Sequence, residues 1–499
     1  MKEGLVQAEV VVVGGGIAGC AAALAAARKG AEVVVLTKLP DPEEANTRYA
    51  QGGIIYTGPD DSPGLLVGDI LGAGAGSRTA AELLSQEGPP LVRGLLIEDL
   101  DVPFDRDVAG FEGLHLTLEG AHSVPRIVHH ADTTGQEIQH ALTSAVRAEG
   151  RITLLPATEA LDLLVSQGRC VGVHAAKDGE ILTVLGRGLV LATGGLGALY
   201  EHTTNPPAAT GDGFALALRA GAVVRDLHYV QFHPTALYAP GKGCFLVSEA
   251  VRGEGAVLKD PGGEGFVEHP LGSLAPRDMV AREIWVMMER TGSPCAYLDI
   301  THRSAEWLKE RFPAIYARCM AEGIDMAREL IPVVPAGHYV CGGVTTNLYG
   351  RTSLRGLWAA GEVANTGLHG SNRLASTSLL EGLVFGWRAG EDAARPAPVL
   401  DRCLATPPEA IPENAPTEAW RRLRTLMWEK AGLVRTADGL REGLQEVDAL
   451  EEEFGGTDLC RGLPVVRTIF EGALADRRSR GCHYRLDVEE EIALADLPG

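Results

Sequence analysis

Residues 8–36 limit the possible folds of this chain more than any other stretch. A β-branched run, Ala8–Val13, leads into Gly14-Gly15-Gly16-Ile17-Ala18-Gly19. An alanine-rich segment then ends at Arg28-Lys29-Gly30, before a second valine-rich run, Glu32–Leu36. Runs of this kind suit strands buried on both faces. The order predicts strand, glycine turn, helix and strand, the opening of a dinucleotide-binding fold. Gly14 permits the tight turn, Gly16 lets a pyrophosphate approach the backbone, and Gly19 lets the helix lie close to the strand. G-x-G-x-x-G alone is a weak signal, but between two strands it is strong. Where an acid often binds the ribose hydroxyls, this chain has Thr37-Lys38: a hydroxyl, and a charge for phosphate.

Val10–Ala27 is also free of charge, and so resembles a signal peptide or a membrane span. Its four glycines, its alanine content, and Glu3 and Glu9 upstream argue for a buried strand and helix in a cytoplasmic protein. With 499 residues, two or three domains are expected. A net charge of −21 without a long basic run argues against nucleic acid as a partner. Nine scattered cysteines without C-x-x-C suit a reducing compartment and argue against a metal or iron–sulfur site.

Further glycine turns follow short apolar strands. Gly188–Ala192 ends in Thr193-Gly194-Gly195, and Leu357–Ala360 ends in Gly361-Glu362. Three such turns fit one extended dinucleotide better than three separate ligands. Gly211-Asp212-Gly213 opens a helix over 214–220. The loop Asn46-Thr47-Arg48-Tyr49-Ala50-Gln51-Gly52-Gly53 offers backbone N–H groups that could cup a planar ring, or could form a plain surface loop. Residues 151–165 and 170–175 read as strands. His129-His130 read as adjacent rings on opposite sides, in a loop or structural role.

From about 226 to 335 this alternation stops, which predicts an inserted α+β capping domain. The expected division is 1–225 and 338–395 for a Rossmann-like α/β domain and 226–337 for the cap. A Pro/Ala-rich linker follows over 396–416, then a helical bundle of about three helices over 417–499. Polar groups of the cap cluster around His233, around Ser248-Glu249 with Arg252, and around Arg277 at a helix start. They pair in kind with His338 and Arg373 of the late segment. Arginine binds carboxylates bidentately, so the cluster suits a dicarboxylate held against a redox ring. Ser479–Arg485 suits a docking role.

Taken together, these motifs resemble the flavoprotein subunits of fumarate reductase and succinate dehydrogenase, and most closely the L-aspartate oxidase branch of that superfamily. The resemblance covers nearly the whole chain. It implies FAD, bound non-covalently because Asn46 stands where relatives with a covalent flavin have histidine. It implies FAD contacts from Gly14, Gly15, Gly16, Ile17, Ala18, Gly19, Lys38, residues 46–53, Asp212, Glu362, Ser378 and Leu379. His233, Ser248, Glu249, His338 and Arg373 become substrate-binding residues. Arg277 matches the catalytic arginine of fumarate reductases. Glu119, in Thr117-Leu118-Glu119-Gly120-Ala121-His122-Ser123, matches the acid that meets a substrate ammonium. The implied reaction is oxidation of L-aspartate to iminoaspartate, with oxygen (giving hydrogen peroxide) or fumarate (giving succinate) as acceptor. Quinolinate synthase of NAD biosynthesis is the implied downstream partner. The alternative is a soluble fumarate reductase or succinate dehydrogenase flavoprotein.

Overall fold

The computed structural model describes residues 4–241, 245–395 and 410–488. The uncharged opening stretch divides into strand β1 (Val10–Val13) and helix α1 (Ile17–Arg28), followed by β2 (Val33–Leu36). Every residue of both strands is buried, which is why both faces carry branched apolar side chains. They occupy the middle of a parallel sheet ordered Leu357–Ala359, Gly188–Leu191, β1, β2, Ile152–Leu155. Because the strands are parallel, the turns at Gly14, Gly194 and Gly361 all leave the same edge. A crevice outside the carboxyl ends of the strands is where such sheets bind ligands.

The sheet joins a body built around β3 (Val230–Leu237) and β4 (Ile331–Val340), which pair antiparallel at the centre of a five-stranded sheet. Helix α2 (Arg277–Thr291) contributes Val280 and Ile284 to this body's own apolar core, beside Leu298 and Phe312. The chain then returns to the first body through helix α3 (Thr377–Ala393). A Cβ on Gly386 or Gly390 would stand 2.4 or 2.1 Å from a carbonyl oxygen of α1, at Ala18 and Ala22. This small-residue seam lets two helices approach closely and accounts for α1 being buried nearly all round. Three further helices, Thr417–Ala431, Ala437–Glu453 and Asp458–Ala475, pack Leu423, Leu440 and Phe470 into a core shared with the parallel sheet. The expected α/β architecture with an α+β cap and a helical bundle is therefore the observed one.

Several local expectations change. Residues 151–165 are not one strand: Ala157, left-handed at φ 51°, breaks them. Ile152–Leu155 joins the parallel sheet, while Thr158–Ser166 begins an antiparallel one with Arg169–Lys177 and Glu180–Leu185. Leu5–Gln7 pairs with Glu180–Leu185, separate from β1. His129 and His130 do not point to opposite sides. Both Nδ1 atoms lie 3.2 Å from the Asp105 carboxylate, because the pair sits in a loop after a short strand rather than inside one. Among the described residues no helix is long and apolar enough to cross a membrane. Most of the expected linker, 396–409, lies outside the described residues.

Candidate active site

A single long cavity runs from the glycine turn after β1 to the cap body, and the residues anticipated from sequence are distributed along it. At one end Gly14, Gly15, Gly16, Ile17 and Ala18 line it. Helix α1 starts at Gly16 without a side-chain cap, which leaves its positive end open to an anion. A Cβ on Gly14 would stand 2.1 Å from the carbonyl oxygen of Ala192, and on Gly15 2.7 Å from Thr37 Cγ2. The turn thus has no room for side chains. Lys38 Nζ stands 2.8 Å from Asp212 Oδ2 and 3.4 Å from Glu159 Oε1. Burial lowers the Lys38 pKa, but the two carboxylates more than reverse this and leave it raised.

Midway, Asn46 Nδ2 donates to Glu362 Oε2 at 3.2 Å and to Asn205 Oδ1 at 3.3 Å. The Val340 N–H donates to Glu362 Oε1 at 3.1 Å. Burial nevertheless pushes the Glu362 carboxyl up to about 7. Of the loop 46–53, residues Asn46, Thr47, Tyr49, Ala50, Gln51, Gly52 and Gly53 line the cavity. The Thr47 hydroxyl is already engaged, accepting from the Ile17 N–H at 3.0 Å.

At the cap end, Glu119, His233, Ser248, Glu249, Arg277, His338, Arg373, Ser378 and Leu379 line the same space. The β3–β4 register shifts between His233 and Ala236, a bulge that re-aims a side chain. The Thr235 N–H donates to His233 Nδ1 at 3.2 Å, so the neutral ring carries its proton on Nε2. Burial, together with Arg277 and the neighbouring His338, holds His233 well below the usual histidine range. Burial and Arg373 do the same to His338, whose Nδ1 is 2.7 Å from the Thr204 hydroxyl. Both imidazoles are therefore neutral, and the positive charge comes from arginine.

Arg373 donates from Nε to Gln231 Oε1 at 3.2 Å and from Nη1 to Ser378 Oγ at 2.9 Å, with its guanidinium over the Tyr339 ring. Arg277 donates from Nε to Glu249 Oε2 at 2.5 Å, and Arg252 Nη2 stands 3.7 Å from the same oxygen. Burial alone would raise the Glu249 carboxyl, but the two guanidinium groups hold it down at about 2.

Three residues are placed differently from expectation. Gly19 does not line the cavity as a cofactor contact, but it keeps the close helix–strand approach expected of it: a Cβ there would be 2.0 Å from the Gly14 carbonyl oxygen. Arg48 turns outward to Asp41 at 3.2 Å. Arg252 sits behind Glu249 rather than on the cavity wall. Sequence reading gave no role to Thr204, Asn205 or Ser376, all of which line the cavity. The Asn205-Pro206 dipeptide is a turn signal that could have drawn attention to the first two, while Ser376 has no local signal.

A family model described as an FAD binding domain matches residues 9–379. The chain is 44% identical over 498 residues to L-aspartate oxidase of Mycobacterium tuberculosis, covering 96% of this chain and 92% of that protein. It is 41% identical over 520 residues to L-aspartate oxidase 1 of Ralstonia nicotianae, covering 98% and 96%. The chain belongs to the L-aspartate oxidase family. Its fold matches the E. coli quinol fumarate reductase FrdA, with TM-score 0.88 and 29% identity over 99% of this chain and 94% of that one. It also matches Sdh1 of Mycobacterium smegmatis, with TM-score 0.82 and 31% identity over 98% and 90%.

FAD is the cofactor of this L-aspartate oxidase family member, and the residues present fit it. The glycine turn has no room for side chains and adjoins the uncapped α1 terminus. Farther on, Gln51 Oε1 and Thr193 Oγ1 are buried without a hydrogen-bond partner, beside the cavity they line. Buried polar atoms of this kind ordinarily have partners, which a dinucleotide in this cavity would be placed to supply.

Proposed function

We propose that this chain oxidises L-aspartate to iminoaspartate with two carboxylate-binding groups of residues and one amine-binding acid in the cap end of the cavity. FAD, when bound, supplies the two-electron acceptor. Arg373 and Arg277 provide fixed positive charge for the substrate carboxylates, and His233 and His338 provide neutral hydrogen-bond donors beside them. Ser248 Oγ and Arg277 Nη1 are buried without partners, which leaves both free for substrate. Glu119 binds and orients the amino group, while Glu249 holds the Arg277 guanidinium in place. With its Nε held by Glu249, Arg277 has the part of binding and orienting substrate.

The observation that carries the reading is Glu119: a buried carboxylate bonded to the Ser376 hydroxyl, whereas the other acid at this end, Glu249, is paired with Arg277. Burying an unneeded anion among groups that recruit anionic substrate would weaken binding. It makes physical sense when the substrate also carries an amine. A fumarate reductase without amine substrates has no use for it.

Lys38, residues 46–53, Asp212, Glu362, Ser378, Leu379 and the turn 14–19 form the proposed FAD site, with Asn46 unable to form the histidyl flavin bond. Residues 1–225 and 338–395 form the proposed FAD domain, 226–337 the cap and 417–499 the bundle. Oxygen or fumarate is the proposed acceptor. Iminoaspartate hydrolyses readily, so a cytoplasmic quinolinate synthase is the proposed consumer. Anaerobic mixing with L-aspartate should bleach the flavin absorbance, whereas succinate should not. Bleaching by succinate alone would replace the reading with that of a succinate dehydrogenase flavoprotein.

A further inference from the structure

We propose that Ser376 is a positioning residue that sets amine selectivity by fixing Glu119, with His122 holding the loop that carries that acid. The inference rests on the reading of Glu119 as the amine-binding group. Ser376 stands at the N-cap of α3, where a serine ordinarily accepts a hydrogen bond from the first helical turn. Here its side chain makes no such bond, and its backbone is left-handed at φ 53°. A residue with a Cβ adopts that conformation at a cost, and such sites cluster where function requires them. Its hydroxyl instead donates to Glu119 Oε2 at 2.6 Å.

The same turn is held a second time. His122 Nε2 lies 3.0 Å from the carbonyl oxygen of Ala375, and His122 Nδ1 lies 3.4 Å from Arg126 Nη1. A guanidinium only donates and a carbonyl only accepts, so the ring is neutral with its proton on Nε2. Arg126 is itself immobilised, fully buried between Asp61 at 2.9 Å and Asp69 at 2.6 Å. The Glu119 loop is thereby tied at two points to the start of α3.

Two glycines complete the fit. A Cβ on Gly52 would stand 2.2 Å from Glu119 Oε1, and one on Gly120 would stand 1.9 Å from Glu249 Oε1. One Glu119 oxygen is committed to Ser376, and the other lies over a position that only glycine leaves open. The carboxylate is ordered before substrate arrives, which spares that ordering cost on binding.

Ser376→Gly tests this, because it tolerates the left-handed backbone and deletes only the hydroxymethyl group. Steady-state oxidation of L-aspartate and reduction of fumarate by reduced methyl viologen are measured on the FAD-loaded enzyme. The expected result is a rise of about tenfold in KM for L-aspartate, with a rise under twofold for fumarate. Ser376→Asn, which also tolerates the left-handed region and keeps a donor, should recover most of the loss. In a Glu119→Gln background, Ser376→Gly should add nothing to the aspartate defect. Equal rises for both substrates would make Ser376 merely architectural and overturn the proposal. A silent Ser376→Gly beside an aspartate-selective defect in Glu119→Gln would overturn it alone. A Glu119→Gln variant with no aspartate-selective defect would overturn the reading beneath it.

Discussion

Arg277 Nε donates to Glu249 Oε2 across 2.5 Å, where the Glu249 side chain keeps only 4% of its exposure. The carboxylate is anionic in a place where burial by itself would neutralise it, because Arg277 and Arg252 both face it. Replacing it by the neutral Glu249→Gln leaves two guanidinium groups uncompensated. Breaking a buried pair in this way costs about 3 kcal/mol or more. Urea denaturation at pH 7 should show a loss of that order. The folded-state pKa lies at about 2, below the ordinary value of 4.5, so the pair stabilises above 4.5 and its contribution fades as pH falls toward 2. The gap between parent and variant should narrow across that window.

Glu362 should behave with the opposite sign. Its carboxyl is raised from 4.5 to about 7 by burial, so the folded state binds the extra proton between those values. Stability therefore falls as pH rises from 4.5 through 7, by an amount on the order of 3 kcal/mol. Glu362→Gln keeps an acceptor for the Val340 N–H and has no charge to bury. Its denaturation midpoint should change little between pH 5 and 8, whereas that of the parent should fall.

Arg373→Leu should abolish turnover and leave the protein yellow. The guanidinium is buried over Tyr339 and bonded to Gln231 and Ser378, on the cap side of the cavity. Losing a buried charge partner for a carboxylate costs 2–5 kcal/mol, so kcat/KM should fall at least about thirtyfold. Arg373→Lys should rescue little, since an ammonium cannot reproduce the fork geometry. Substantial recovery by lysine would show that charge alone matters there.

Lys38→Met should weaken FAD retention by about tenfold, the loss of one charge-assisted contact. It also leaves Asp212 and Glu159 facing each other without the cation between them. Flavin release during dilution, followed by fluorescence, would measure it. Unchanged retention would remove Lys38 from the FAD site.

Much of the first body could be read from local pattern. Val10–Val13, Gly14–Gly16 and the alanines of α1 are a contiguous strand–turn–helix unit, and its ligand preference follows from neighbours in sequence. The break at Ala157 was invisible, because Thr158–Ser166 carries the same branched residues as the strand before it. One left-handed residue, not composition, sends the two into different sheets. His129-His130 lie in a loop as expected, but their rings do not diverge, for a different reason: alternation holds inside strands, and these residues lie outside one.

The site divides along a similar line. Residue types sufficed to nominate His233, Arg277, His338 and Arg373, because dicarboxylate chemistry demands cations and donors whatever their order in the chain. Only packing could show that Arg252 stands behind Glu249, or that Arg48 turns to Asp41. Only packing could pair Ser376 with Glu119, which lie 257 positions apart. Local sequence dictates conformation within a turn or two, through sterics and hydrogen bonds between neighbours. Which distant side chains meet is decided by how sheets and helices bury their apolar faces against one another, and that is a property of the folded whole.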